Sequence, residues 1–389
     1  MAIKFVDETD LSTVGNAIRG KTGGSGLLTF PDGMAAAIAG IQAGGGDDDS
    51  LKTVIERTAV NPTLPGDLVK IGDYAFYNCG NLALTSLPGG ITSIGDSAFY
   101  NCGNLALTSL PDGITRIERN AFYNCQNLAL TSLSGGLTSI GSGAFRNCTG
   151  LALTSLPDGL TSIESNAFFE CWNLALTSLP NGITSIGSGA FRNCPGLALT
   201  SLPDGLTKIE SNTFSDCGNL ALTSLPDGLT SIGGSAFYNC QNLALTSLPG
   251  GITSIGGSAF RNCSGLALTS LPDGLTKIES TTFYYCGNLA LTSLPNGITS
   301  IGNSAFYNCG NLALTSLPGG ITSIGGSAFG RCTGLITLTF EGTPTSIDGT
   351  AFIGCTNIAT INVPWAEGAV ANAPWGAYKA TIHYNYTGN

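Results

Sequence analysis

Apolar positions along this chain recur with a period of 23, not the 2 of a strand or the 3.6 of a helix. Cysteines stand at Cys79, Cys102, Cys125 and onward to Cys355, thirteen in all, and every interval is 23. A Phe precedes each by three residues, from Phe76 to Phe352, and an Ile by eight, from Ile71 to Ile347. A Leu follows each by three, with Ile358 the single substitute. Self-similarity at a fixed period of 20–50 residues marks a stacked repeat architecture.

One period predicts one flat coil. Leu82–Leu87 is a short apolar run ending in a turn, which suits a strand. Pro88-Gly89-Gly90 is turn chemistry, because Pro pre-sets φ and Gly accepts positive φ. Ile91–Ile94 reads as a second short β segment. Ser97–Cys102 is expected to turn the chain back through a tight 3₁₀-like corner. Leu, Ile, Phe and Cys then point inward, and no single coil can bury them. Stacking at ~4.8 Å lays each side chain over its counterpart, so thirteen coils extend ~60 Å. The fold class is therefore mainly β with short turns: a solenoid of thirteen 23-residue coils preceded by a small helical module.

The run Ile94-Gly95-Asp96-Ser97-Ala98-Phe99-Tyr100-Asn101-Cys102-Gly103-Asn104-Leu105 resembles the BspA-like branch of leucine-rich repeats, over about Leu68 to Pro364. That resemblance implies bacterial or phage surface proteins that bind host or cell-surface ligands, without naming one ligand. In that family the strand places apolar residues three, six and eight after Cys. Leu335, Leu338 and Phe340 comply, as do Ile358, Ile361 and Val363. Other coils have Leu at three, five and eight. Either a local bulge buries Leu84 and its equivalents, or they form an exposed apolar stripe.

The ends do not repeat. Residues 1–43 read as a small attachment module with helices over Asp10–Arg19 and Met34–Ile41. A Gly/Asp linker at 44–50 follows, then an N-terminal cap at 51–67 with a covering strand at Leu51–Val60. The solenoid spans 68–363. Residues 364–389 form a C-terminal cap, where Trp365, Trp375 and an edge strand at Ala380–Tyr386 close the open end. The head, Leu11–Arg19 followed by Leu28-Thr29-Phe30-Pro31, resembles the N-terminal module of tail-associated proteins of phages and prophages of Gram-positive bacteria. The segment from Val363-Pro364-Trp365 to Pro374-Trp375-Gly376 is similar to such proteins too. This implies a head fixed to a virion component and a solenoid projecting outward. The N-terminus, with Asp7, Glu8 and Asp10, is not a secretory signal. The location expected is a virion or prophage-encoded particle, with the bacterial surface as the alternative.

Charge narrows the partners. Net charge is −10 and charged residues make up 10%. Nucleic acid needs clustered cations, and an acidic surface is repelled by anionic lipid. No apolar run is long enough to span a membrane.

Candidate chemistry is sparse, and no catalytic residue, metal or cofactor is expected. Gly15-x-x-x-x-Gly20-Lys21-Thr22 matches a phosphate loop in letters. However, a helix precedes it where a strand is required, so it reads as a helix cap and loop. The cysteines lack paired metal spacings and read as buried free thiols. His383 is the only histidine. Glu118, Glu164, Glu210 and Glu279 share one turn position in different coils and read as surface variation. Asp47–Asp49 reads as solvated linker.

The residue after the ladder Phe varies: Tyr77, Tyr100, Tyr123, Arg146, Phe169, Arg192, Ser215, Tyr238, Arg261, Tyr284, Tyr307. Trp172 lies at another variable position. Tyr, Trp and Arg dominate binding hot spots. All of these except Ser215 are the candidate contacts for a protein or cell-surface glycan ligand. The alternative is that they only cover the corner of each coil with their apolar stems. The functional readings are a binding solenoid on a phage or prophage tail, an adhesin-like surface protein, or a structural spacer.

Overall fold

The structure, a computed structural model, describes residues 41–43, 64 and 66–388. The helix expected over Asp10–Arg19, the phosphate-loop look-alike, the linker, Asp47–Asp49 and the covering strand at Leu51–Val60 lie outside the described residues. The chain divides into two compact units, 1–175 and 176–389.

In the first unit, strand β1 (Ile41–Ala43) pairs antiparallel with β2 (Leu68–Ile71), with Ile41 opposite Ile71. Ile41, the last residue of the expected helix over Met34–Ile41, stands in this strand, and the rest of that helix lies outside the described residues. Parallel to β2 follow β3 (Ser93–Ile94), β4 (Arg116–Ile117), β5 (Ser139–Ile140) and β6 (Ser162–Ile163). The ladder Ile of successive coils stand in register, Ile71 beside Ile94 and Ile117 beside Ile140. Each of these two-residue strands carries its Ile inward and its Ser or Arg outward.

The second unit repeats the arrangement. Its Ile-side strands are β7 (Ser185–Ile186), β8 (Lys208–Ile209), β9 (Ser231–Ile232), β10 (Ser254–Ile255), β11 (Lys277–Ile278), β12 (Ser300–Ile301), β14 (Ser323–Ile324) and β16 (Ser346–Ile347). The Leu side carries β13 (Ser316–Leu317), β15 (Thr337–Phe340), β17 (Thr360–Asn362) and β18 (Thr381–His383), paired in that order. β18 adds one parallel layer beyond the last Cys-bearing coil.

The strand expected over Leu82–Leu87 is not regular. Leu at five and eight after Cys forces two adjacent residues outward, Thr85 and Ser86, which breaks the period of 2. One carbonyl of this segment still pairs in each coil, as when Ala106 N–H donates to Leu84 O at 3.1 Å. The irregularity buries the extra Leu: Leu84 is 8% exposed, and Leu107, Leu130 and Leu153 are 0%. A four-residue strand forms in β15, where Leu338 and Phe340 alternate inward.

The corner also departs from expectation. Its i→i+3 bonds are present: Ala98 N–H to Gly95 O, Tyr100 N–H to Ser97 O and Cys102 N–H to Phe99 O. A 3₁₀ helix would send every N–H that way and keep every φ negative. Here alternate N–H groups turn to the following coil instead. Ser97 donates to Arg119 O at 2.9 Å, Phe99 to Ala121 O at 2.8 Å and Asn101 to Tyr123 O at 2.8 Å. That alternation puts Ser97 at φ 53° and Asn101 at φ 58°, and the two slots recur coil after coil. No 3₁₀ or α-helix occurs among the described residues.

The ladder Phe rings fill the interior. In the first unit, Phe76 to Phe168 stack at 5.0–5.4 Å between centroids, within 9° of parallel. In the second, Phe191 to Phe352 stack at 5.2–5.7 Å. At the C-terminal end, Phe340 meets Trp365 edge-on at 5.2 Å, and Trp365 meets Trp375 at 6.2 Å. Trp375 is fully buried, and its carbonyl accepts the Phe352 N–H at 2.9 Å. The tryptophans thus lie against the last ladder rings.

Coil spacing also bears on the Gly that follows the ladder Ile in many coils. A Cβ at Gly141 would sit 2.8 Å from the backbone of Glu118 and Arg119, and one at Gly302 would sit 2.8 Å from Glu279. The approach is as close where the preceding coil carries Gly: a Cβ at Gly95 would sit 2.7 Å from Gly72, and one at Gly256 2.9 Å from Gly233. Truncating a ladder ring, Phe122→Ala or Phe260→Ala, is expected to lower unfolding free energy by ~3–5 kcal/mol in urea titrations, because the gap cannot collapse between fixed coils.

Candidate functional site

The variable residues after the ladder Phe stand beside buried rings and form a column on the corner of each unit. In the first unit, Tyr77 stacks on Tyr100 at 4.8 Å and Tyr100 on Tyr123 at 4.4 Å. The Arg146 guanidinium then lies 5.4 Å from the Tyr123 centroid and 4.6 Å from that of Phe169. All five are half-buried. Partial burial, then the neighbouring Tyr123 and Tyr77, raise the Tyr100 hydroxyl pKa, and Arg146 opposes them. Trp172 stands outside this column, one residue past Cys171, and is 52% exposed.

In the second unit Arg192 is exposed. Ser215 is buried, and its hydroxyl donates to the Asp216 carboxylate at 2.9 Å, so it breaks the aromatic run. Arg261 lies between Tyr238 and Tyr284, 5.6 and 4.7 Å from their centroids, and Tyr284 stacks on Tyr307 at 5.1 Å. Gly330 takes the next place, and a Cβ there would come within 2.6 Å of the Tyr307 ring. Arg331, one residue later, covers that ring at 5.7 Å. The candidate contacts thus fall into two groups. The column members partly cover one another, a packing role worth ~0.5–1 kcal/mol per cation–π contact. Trp172 and Arg192 face outward.

A second column escaped the sequence reading. The residue before each Cys is held at positive φ, and most coils place Asn there, which tolerates that conformation. In the first unit these side chains form an amide ladder: Asn101 donates to Asn78 at 2.8 Å, Asn124 to Asn101 at 3.0 Å, and Asn147 to Asn124 at 2.6 Å. Glu170, Tyr285 and Arg331 hold the same slot at φ 61°, 60° and 58°. The signal in the sequence was substitution of Asn, visible only once the backbone demand of the slot is known.

The thiols are chemically quiet. Each of Cys102, Cys125, Cys148 and Cys171 donates to the carbonyl of the preceding coil's ladder Phe at 2.9–3.0 Å. All thirteen are buried. Burial pushes the Cys217 and Cys286 thiols up to about 12 and Cys355 to about 11, with the backbone hydrogen bond opposing. Three of the turn glutamates are paired with cations: Arg116 contacts Glu118 at 3.0 Å and Glu164 at 3.7 Å, and Lys277 contacts Glu279 at 2.7 Å. His383 is exposed on β18, opposite Asn362. Among the described residues no cluster of His, Cys, Asp and Glu could hold a metal, and no helix is long and apolar enough to cross a membrane.

Parallel coils with an inward Leu, Ile, Phe and Cys set define a leucine-rich-repeat solenoid. The BspA type leucine rich repeat region matches residues 58–175, 138–267 and 266–367, and the chain belongs to that family. It is similar to a leucine-rich repeat protein from Bacteroides ovatus, 25% identical, covering 93% of this chain and 100% of that one at a TM-score of 0.64. The pneumococcal vaccine antigen PcpA is 19% identical, covers 84% of this chain and 79% of that one, and shares the fold at a TM-score of 0.51. A leucine rich cell surface protein from Faecalibacterium prausnitzii is 27% identical, covering 74% and 78%, at a TM-score of 0.45. No curated protein sequence matches the chain.

The raised thiol pKa values set a pH limit on stability. Unfolded thiols ionise near 9.0, whereas Cys217 and Cys286 stay protonated to about 12. Their stabilising contribution is complete below pH 9 and is lost as pH rises from there toward 12. Denaturant titrations from pH 8 to 11 should show falling midpoints, and a thiol reagent at pH 8 should label only denatured protein.

Proposed function

We propose that the chain is a non-catalytic binding solenoid whose ligand-facing residues are the variable Tyr, Arg, Phe and Trp side chains beside the ladder Phe and Cys. One observation carries this reading. The coils repeat Ala, Thr and Ser almost unchanged on the Leu face, as in Ala83-x-Thr85-Ser86 and Ala106-x-Thr108-Ser109, and confine bulky variation mainly to the corner. A pure spacer needs no such restriction. The family is a repeat architecture suited to presenting long surfaces, and the carboxylates and thiols are engaged structurally.

The finer reading is a phage or prophage tail-associated protein that contacts a bacterial surface ligand, protein or glycan. Support comes from the head, whose Leu11–Arg19 and Leu28–Pro31 segments resemble tail-associated modules. Residues 1–43 would fix the chain to a virion component and leave the corner columns accessible.

The test compares attachment of the labelled full chain to Gram-positive cells before and after replacing Tyr77, Tyr100, Tyr123, Arg146, Phe169 and Trp172 by Ser. A second variant replaces Arg192, Tyr238, Arg261, Tyr284 and Tyr307. Loss of a single hot spot costs about 2 kcal/mol, so attachment by the responsible face should weaken at least ~30-fold. Melting curves establish that each variant is folded. Undiminished attachment by both folded variants would rule out these columns as the contact face, and no attachment by the parent chain would leave the spacer reading in its place.

A further inference from the structure

Three consecutive coils of the second unit break the Asn column in a way that releases its polar groups. Tyr285 and Arg331 occupy positive-φ slots, at 60° and 58°, with Asn308 at 60° between them. Every coil holds this slot at positive φ, and bulky residues are uncommon in that conformation, so Tyr285 and Arg331 stand where Asn is the ordinary choice. In the first unit the Asn amides satisfy one another. Asn308 has no Asn neighbour on either side, and no side-chain hydrogen bond engages its amide among the described residues.

The flanking groups are exposed, although the Arg331 guanidinium also lies 5.7 Å from the Tyr307 centroid. Tyr285 is 41% exposed, and its ring tilts 41° from Tyr284 at 4.7 Å and 36° from Tyr307 at 5.9 Å, so it does not lie flat against either. Arg331 is exposed, and no described carboxylate pairs with it, in a chain of net charge −10. Its stem lies against Gly354, with Cγ 3.0 Å from where a Cβ would stand. Beside Asn308 and Arg331 runs an open groove of about 460 Å³, floored by Gly287, Gly310, Thr333 and Thr356, with no carboxylate in its lining. Space above Gly287 is clear: nothing lies within 4 Å of an added Cβ.

We propose that Tyr285, Asn308 and Arg331 form a binding subsite for an acidic saccharide, a pyranose bearing a carboxylate. Coils ~4.8 Å apart put the Tyr285 and Arg331 backbones ~10 Å apart, with the amide midway. The sugar ring lies on the tyrosine face, its hydroxyls exchange hydrogen bonds with the Asn308 amide, and its carboxylate pairs with the guanidinium fork. The shallow floor of glycine and threonine suits a hydroxyl-rich ligand. It offers no deep pocket for the buried side-chain anchor that a protein partner needs. This assignment rests on the chain being a binder and names the ligand chemistry of one part of its corner.

The test measures retention of the full chain on immobilised polygalacturonate, alginate, hyaluronate and polysialate, with dextran and polyglutamate as controls. Retention is expected on at least one acidic polysaccharide, absent on dextran and weaker at higher salt. Tyr285→Asn and Arg331→Asn install the residue that neighbouring coils carry. These variants should melt at or above the parent temperature while retention falls at least tenfold. Retention on none of the four polysaccharides, equal retention on polyglutamate, or full retention by both folded variants would each overturn the assignment. Failure here is separable from failure of the binding reading. Cell attachment that is lost on replacing the corner columns, with no acidic polysaccharide retained, removes the saccharide site alone. Polysaccharide retention together with cell attachment undiminished by replacing the corner columns removes those columns as the contact face and leaves the saccharide site.

Discussion

The structure depends on like side chains stacking at the distance that backbone hydrogen bonding sets. One coil has a handful of apolar residues and no second layer to bury them against. The coil before and the coil after supply that layer. Phe99 lies between Phe76 and Phe122 at 5.0 and 5.3 Å, and its own N–H is bonded to the following coil. Ring spacing and backbone spacing must therefore agree, which leaves the interior almost no freedom in residue type. Ala in place of Phe leaves a void, and a larger ring meets fixed neighbours. This is why Phe, Ile and Cys persist in every coil while the corner surface drifts.

Much of this is legible in the residues. The 23-residue interval gives the coil, the inward set and the buried thiols, and Trp365 with Trp375 gives the closure. Two features are not legible, for one reason. The corner resembles a 3₁₀ turn because its i→i+3 bonds are local, but the alternate N–H groups are claimed by the next coil, and sequence patterns of local structure carry no information about that partner. Likewise Leu84 follows no strand alternation, because Thr85 and Ser86 both face solvent and the chain bends between them. Of the corner residues, Tyr284 and Tyr307 follow the ladder Phe and are visible by position. Tyr285 and Arg331 stand out only through the φ of their slot, a quantity no single sequence displays.

Variation sits where the repeat permits it. On the Leu face Thr and Ser are confined by the bend, and at Gly141 and Gly302 the preceding coil's backbone leaves no room for a Cβ. The corner is less restricted, since most of its residues are half-buried or exposed. The same geometry that forbids change in the core concentrates it at the residues flanking Phe and Cys. There, a cation over an aromatic ring serves equally as cover for the core and as a charged edge toward a partner.

The alternation of corner hydrogen bonds gives the stack a direction. Within each unit the corner donates forward: Ser97 to Arg119, Phe99 to Ala121, Asn101 to Tyr123, and at the far end Phe352 to Trp375. Within each unit most coils thus present their successor with the same set of three donors, and excising or inserting 23 residues there restores a like joint. A change of any other length leaves donors facing carbonyls out of step. The chain is modular in whole turns only, so unequal recombination between near-identical copies can lengthen or shorten it in increments that always fold.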